Sequence, residues 1–455
     1  MQKHPDRHVY LTQTPVPQLI RTLAVPTIIS MLVTGIYNTA DTYFVGRIST
    51  QATAAVGLVF SVMAIIQAFG FFCGQGSGNY LSRLLGAGKK QEANEVAMTG
   101  FLMALVIGIL IAAAGNWQAD RIADWIGATD ASRADTVAYM RIILLGAPLM
   151  TCQFVINNQL RFQGSAMYAM IGLMCGAVIN IALDPILMFG LHLGIRGAAI
   201  ATVSGQGISF LALLIGSRAG ENIRLSLKNA TLNLGYILQI SNGGLPSLVR
   251  QGLAAVSTLL LNNAARTWGG DAAIAGMSVT SRTLMLLVSA LIGFGQGYQP
   301  VCSYNYGAGL YGRVKEGYRY CVRIGTVLMT AAGAACFVFA SPVIGFFRDD
   351  PEVIAVGTVA LRWQSAVLPL LATSILTNMM LQASGKGIKS SITSSARNGI
   401  FFIPLILILP RIFGLLGVEM AQGIADILTF LLCVPIARYE LRKMDENAPR
   451  KEPDA

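Results

Sequence analysis

Long uncharged blocks recur along this chain, and they decide what it can fold into. Phe101 to Gly115 is one, Val322 to Ala340 is nearly another, and Phe401 to Pro410 is a third. A helix needs roughly 20 mainly apolar residues to cross the hydrocarbon of a bilayer. There every backbone N–H and C=O must be satisfied within the protein, which leaves helices or a closed barrel. A membrane barrel would show short alternating segments, and these blocks do not alternate. Charge is correspondingly scarce. Only 12% of the 455 residues are Asp, Glu, Lys or Arg, against about a quarter in soluble domains, too few to coat a water-facing surface of this size.

The blocks read as twelve spans: 19–45, 52–81, 94–116, 135–158, 166–190, 196–217, 236–264, 273–304, 317–341, 353–381, 389–410 and 415–437. The net charge of +11 follows the loops between them, so topology accounts for it better than nucleic-acid binding does. One set of loops holds Arg83, Lys89, Lys90, Arg161, Arg218, Arg224, Lys228, Arg313, Lys315, Lys386 and Lys389, joined by the basic tail from Arg438 onward. The other set has fewer bases (Arg47, Arg121, Arg133, Arg196, Arg348, Arg411) and more acids, among them Asp120, Asp124, Asp349 and Asp350. Basic loops stay cytoplasmic, so both termini are expected there, in a prokaryotic inner membrane. The N-terminal stretch lacks a signal-cleavage pattern and reads as a retained first span. Seven cysteines without a C-x-x-C pair and only three histidines point away from disulfides and from a His-built metal or catalytic site. No P-loop, G-x-S-x-G or H-E-x-x-H occurs, so an enzyme is not expected.

A repeat organises the whole. Gly74-Gln75-Gly76 recurs as Gly295-Gln296-Gly297, and Gly86-Ala87-Gly88 as Gly307-Ala308-Gly309; Arg141, Pro148, Asn157 and Gly164 recur as Arg362, Pro369, Asn378 and Gly385, all shifted by 221. Pro26 maps onto Pro246 at 220. The expected fold is an all-α polytopic membrane protein, with 12 transmembrane helices in two parallel six-helix repeats and a central cavity. The expected division is an N-terminal lobe over 1–218, a cytoplasmic linker over 219–235, a C-terminal lobe over 236–437 and a cytoplasmic tail over 438–455. The Gly-Gln-Gly segments follow no strand, so they read as close helix contacts and not as a nucleotide loop.

Ionisable groups inside spans are costly and mark function. Asp41 stands late in the first span and Asp184 in the fifth, with Asn180 one turn earlier on the same face. Pro185 frees the carbonyl of Ile181, Thr202 offers a hydroxyl and Tyr139 a phenol. Such oxygens suit Na+ as a bound metal ion, held by Asp41, Asn180, Asp184 and Thr202; buried carboxylates equally suit a proton. The repeat places Asn262, Phe401 and Leu405 at the positions of Asp41, Asn180 and Asp184, so this site belongs to the first half alone. Pro26, within the first span, is a candidate hinge. Gln67, Gln153, Asn157, Asn158, Asn262, Met277 and Met285 are candidate cavity residues, with helix packing as the competing role of each. Arg250 and Arg282 lie at or near membrane depth. Asp426 reads as the one intramembrane acid of the second half and receives no role.

Taken together, Asn38-Thr-Ala-Asp-Thr-Tyr-Phe-Val-Gly, Gly86-Ala-Gly-Lys-Lys, Asn180-Ile-Ala-Leu-Asp-Pro-Ile and Gly295-Gln-Gly-Tyr-Gln-Pro resemble the multidrug and toxic compound extrusion (MATE) family, in its DinF- and MepA-like branch, over nearly the whole chain. The resemblance implies export of cationic or amphiphilic drugs in exchange for Na+ or H+. It also implies a cation site at Asp41, Asn180, Asp184 and Thr202, with Tyr139 nearby, and a first-helix proline, Pro26, that bends. No cofactor is implied beyond the coupling ion. The expected partners are small molecules and membrane lipids, with no nucleic acid, and the protein is expected to be a monomer. The NorM-like acids of the seventh and tenth spans are missing here. The competing reading is a lipid-linked saccharide flippase of the same superfamily. A channel or a membrane-embedded enzyme lacks the continuous polar lining or the nucleophile it would need.

Overall fold

The computed structural model describes residues 7–219 and 222–446; for residues 35–43 and 50 it describes the backbone but not the side chain. In chain order the helices are α1 (Arg7–Gln13), α2 (Val16–Gly46), α3 (Thr50–Gly86), α4 (Lys90–Trp117), α5 (Ala119–Trp125), α6 (Asp130–Leu145), α7 (Ala147–Phe162), α8 (Ala166–Pro185) and α9 (Gly194–Ser217). After the linker come α10 (Leu234–Gly307), α11 (Tyr311–Val338), α12 (Ala340–Phe347), α13 (Pro351–Ala383), α14 (Gly387–Ser395), α15 (Phe402–Phe413) and α16 (Leu415–Glu446). Wide turns at Ile186–Gly190 and Ala396–Ile400 continue α8 and join α14 to α15. No strand occurs among the described residues.

Ten of these stretches are long and apolar enough to cross a membrane, and α6 with α7 makes a further crossing bent by 50°. The bend falls at Gly146-Ala147-Pro148, where the proline cannot donate to the carbonyl of Leu144. Element α10 is two crossings in one. Its 74 residues would reach about 110 Å as a single rod, far beyond a bilayer. It breaks at Gly270, where φ is +62° and ψ is −154°, a conformation only glycine adopts readily. With that division the described helices make the twelve spans expected.

The two halves share their turns atom for atom. Lys89 N–H reaches Leu84 O at 2.9 Å around Gly88, and Leu310 N–H reaches Asn305 O at 2.9 Å around Gly309. Ser165 N–H reaches Leu160 O at 3.0 Å around Gly164, and Lys386 N–H reaches Leu381 O at 2.8 Å around Gly385. All four glycines have positive φ, as this way of ending a helix requires.

The chain divides into two compact units, but not at the linker. Among the described residues the first comprises Arg7, 25–219 and 222–248, and the second 8–24 and 249–446. The opening stretch of α2 belongs with the second unit, and that of α10 with the first. The glycine repeats supply the reason. Within the first unit, a Cβ on Gly76 would land on the carbonyl of Ile240, and one on Gly244 on that of Phe72. Within the second, a Cβ on Gly297 would come within 2.5 Å of Ala24 Cα. The Gly-Gln-Gly segments are therefore packing seams, each admitting the backbone of the segment carried over from the other half of the sequence.

Candidate functional site

In the first unit α8 and α9 lie against each other along a stripe of small residues. On α8 these are Gly172 and Gly176, each one turn apart and followed at the same spacing by Asn180 and Asp184. A Cβ on Gly172 would meet Leu213, one on Gly176 would meet Ser209 Cβ at 2.6 Å, and one on Gly205 would meet Asn180 Cβ at 2.9 Å. Near the start of α9 a Cβ on Gly197 would meet Leu187 and Met188. This antiparallel register sets Asp184 level with Ala201, next to Thr202.

Asn180, Asp184, Thr202 and Tyr139 are all withdrawn from the surface, with Asp184 and Tyr139 at 0% exposure. Thr202 donates its hydroxyl to Ala198 O at 3.0 Å, which leaves its oxygen lone pairs available. Neither side-chain atom of Asn180 has a hydrogen-bond partner among the described residues. Nor has Gln206 Oε1, one turn beyond Thr202 on α9. Gln206 escaped the sequence reading because glutamine in a span is only weakly marked; its spacing of four from Thr202 was the available signal. Tyr139, from α6, sits in the apolar cluster with Met188, Ile195 and Ala198. Pro185 removes the donor that Ile181 O would have used. Asp41 falls in the 35–43 segment of α2, and its side chain lies outside the described residues.

The candidate cavity residues are divided between the two units. In the first unit, Gln153 Nε2 bonds Ser209 Oγ at 2.8 Å, and Asn157 Nδ2 bonds Ala169 O at 2.9 Å. Asn158 donates to Phe154 O and accepts from Arg161 at 2.6 Å, while Gln67 is half-buried. In the second unit Met277 is enclosed by Ala265, Ala273, Phe402 and Ile406. Met285 is 66% exposed, and Asn262 and Arg282 are exposed as well. A recess of about 350 Å³ in the first unit is lined by Ala134, Asp135, Ala138, His192 and Arg196 among others; none of the candidate cation ligands borders it.

The second unit buries acids of its own. Asp426 accepts from Arg397 at 2.7 and 3.4 Å and from Gln422 at 3.0 Å. Asp426 is not the one intramembrane acid of this half: Glu419, two turns earlier on α16, is 4% exposed. Its place four residues after the start of α16, behind Leu415, Leu416, Gly417 and Val418, was legible, and the reading passed over it. Among the described residues no group of three His, Cys, Asp or Glu could hold a metal ion; the oxygens grouped in the first unit come mostly from amides, hydroxyls and a freed carbonyl.

Twelve spans in two repeats, with a polar column sunk in one unit, define a polytopic membrane transporter of duplicated type. The chain belongs to the MatE family, whose model matches residues 26–186 and 246–408, once for each half. It is 29% identical to the multidrug export protein MepA of Staphylococcus haemolyticus (strain JCSC1435), over 95% of both chains. Among solved structures it resembles a MATE in the bent conformation, with a TM-score of 0.92, and a MATE in the straight conformation, with a TM-score of 0.90. Each of these is 26% identical and covers 98% of this chain and 100% of that chain.

Proposed function

We propose that this transporter exports cationic or amphiphilic small molecules by antiport against Na+ or H+, through alternating access. The reading is carried by Asn180, whose buried amide has no partner among the described residues and lies one turn from the buried Asp184 on the α8–α9 seam. An amide left unsatisfied costs about 1–3 kcal/mol, and a bound ion would repay it. Asp184, Asn180 Oδ1 and Thr202 Oγ1 offer hard oxygens that suit Na+; a carboxylate at 0% exposure suits a proton equally. Asp41, from α2, completes the proposed set, with Tyr139 nearby. The name of the Staphylococcus relative supports multidrug export.

Ion and drug need only favour different conformations to be coupled. In this reading the external ion stabilises the state that releases drug, and its departure to the other side admits the next one. Pro26 is the proposed hinge. It stands two residues past the boundary at which α2 passes from one unit to the other, and as a proline it leaves the carbonyl of Thr22 without its helical donor. The basic loops support a cytoplasmic position for both termini.

The test is drug efflux from proteoliposomes with a Na+ gradient or a pH gradient imposed separately, for the parent and for Asp41→Asn and Asp184→Asn. Loss of transport with one gradient identifies the ion. Undiminished transport in both variants under both gradients removes the assignment.

A further inference from the structure

The last helix of the second unit changes character along a single face. Leu431 is 59% exposed. Pro435, Arg438 and Arg442 follow at spacings of four, three and four, which keeps all of them on one side of α16. Val434, Pro435, Arg438, Tyr439 and Arg442 line a recess of about 340 Å³. Pro435 lies within the helix, and its ring displaces the preceding turn, widening the face where the recess opens. The apolar residues lie toward the middle of the span and the arginines toward its end.

Other bases around this recess are already engaged. Lys389 pairs with Glu440 and lies over the ring of Tyr439, and Lys315 pairs with Asp445. Arg438 and Arg442 are exposed and have no ion pair among the described residues. Glu440, the acid closest in sequence, is buried at 3% exposure on another face, held by Lys389. Two free guanidinium groups thus stand one turn apart at the end of a groove whose inner wall is aliphatic.

We propose that this recess binds an anionic phospholipid. The phosphodiester sits between Arg438 and Arg442, and one acyl chain runs along Leu431, Val434 and Pro435. Paired guanidinium forks match phosphate oxygens with two hydrogen bonds each. The aliphatic wall selects a lipid over free phosphate, because it supplies apolar burial that an inorganic ion cannot use. Excess positive charge on the guanidinium pair selects an anionic over a zwitterionic headgroup.

The test is native mass spectrometry of the full chain released from micelles holding equal amounts of dioleoyl phosphatidylglycerol and dioleoyl phosphatidylcholine. The parent retains phosphatidylglycerol in preference. Arg438→Gln with Arg442→Gln weakens that retention about 30-fold, roughly fivefold for each arginine. Arg438→Lys with Arg442→Lys keeps most of it, which shows that the glutamine pair does not act by unfolding. Arg411→Gln, in the last turn of α15, changes nothing. Asp184→Asn retains the lipid as the parent does, so this site is judged apart from the efflux reading. Equal retention of the two lipids by the parent, unaltered retention by the glutamine pair, or displacement by inorganic phosphate at the same concentration as the lipid overturns the proposal.

Discussion

Gly205 presents its bare Cα to Asn180: a Cβ at that position would come within 2.9 Å of Asn180 Cβ and 2.8 Å of the Gly176 carbonyl. The small side of α9 therefore sets where the amide of Asn180 stands. Both clashing partners are held by backbone, so neither can swing away. Gly205→Ala is expected to push α9 from α8 at a cost of about 1–3 kcal/mol, seen as a lower melting temperature in detergent. Gly207→Ala, on the open side of the same helix, meets only Leu149 at 3.9 Å and leaves the melting temperature unchanged.

Asn180 itself should separate stability from function. An isosteric Asn180→Leu removes a buried amide that has no partner among the described residues and fills the same space. The apo protein is expected to become more stable, by about 1–3 kcal/mol, while gradient-driven efflux falls. A thermal melt beside a proteoliposome assay distinguishes this from a structural role, for which both quantities would fall together.

The repeat makes a quantitative comparison possible. Asn378 Nδ2 bonds Ser390 O at 2.7 Å and lies within bonding distance of the hydroxyls of Ser390, Thr393 and Ser394, whereas Asn157 Nδ2 bonds only Ala169 O among the described residues. Each tie fastens the end of one span to the start of the next. Both Asn→Ala variants are expected to destabilise by about 1–3 kcal/mol, and Asn378→Ala by the larger amount because more polar atoms lose a donor. Equal shifts in melting temperature would refute the ranking.

These same residues show what the sequence could and could not convey. The shift of 221 tied Asn157 to Asn378 without any coordinates, and the loop expected between 264 and 273 contains the break at Gly270. Hydrophobic runs and positive-φ glycines are local, so they survive being read along one dimension. The passage of α2 and α10 between units was hidden, because it depends on which backbones Gly76, Gly244 and Gly297 admit across long sequence distances. Asn157 and Gln153 read as cavity candidates for a similar reason. A polar residue in an apolar span advertises itself equally whether it faces a ligand or a neighbouring carbonyl.

Outside the spans, Asp124 accepts from Arg133 Nε at 2.8 Å, and this hydrogen bond holds its carboxyl below the ordinary value of 3.8. A depressed carboxylate adds stability that is fully present above its unfolded pKa and is lost as pH falls through the folded one. Both partners are largely exposed, so the effect is small and screened by salt. Asp124→Asn is expected to flatten the acid limb of a melting-temperature profile below pH 3.8 and to change little near neutrality. An unaltered acid limb would show that the pair contributes nothing.

In the second unit, Asp426 is 2% exposed and its charge is met by Arg397 at 2.7 Å. Removing one member of such a pair strands the other, at a cost of about 3–5 kcal/mol, whereas replacing both with apolar side chains of similar size is close to neutral. Arg397→Met is therefore expected to destabilise strongly, and adding Asp426→Leu should recover most of the loss, a coupling that a double-mutant cycle of thermal melts measures. The double variant should also keep its efflux in proteoliposomes, because the proposed ion ligands all belong to the first half. If it is stable but transports nothing, the second unit carries part of the coupling, and a first-half site alone is insufficient.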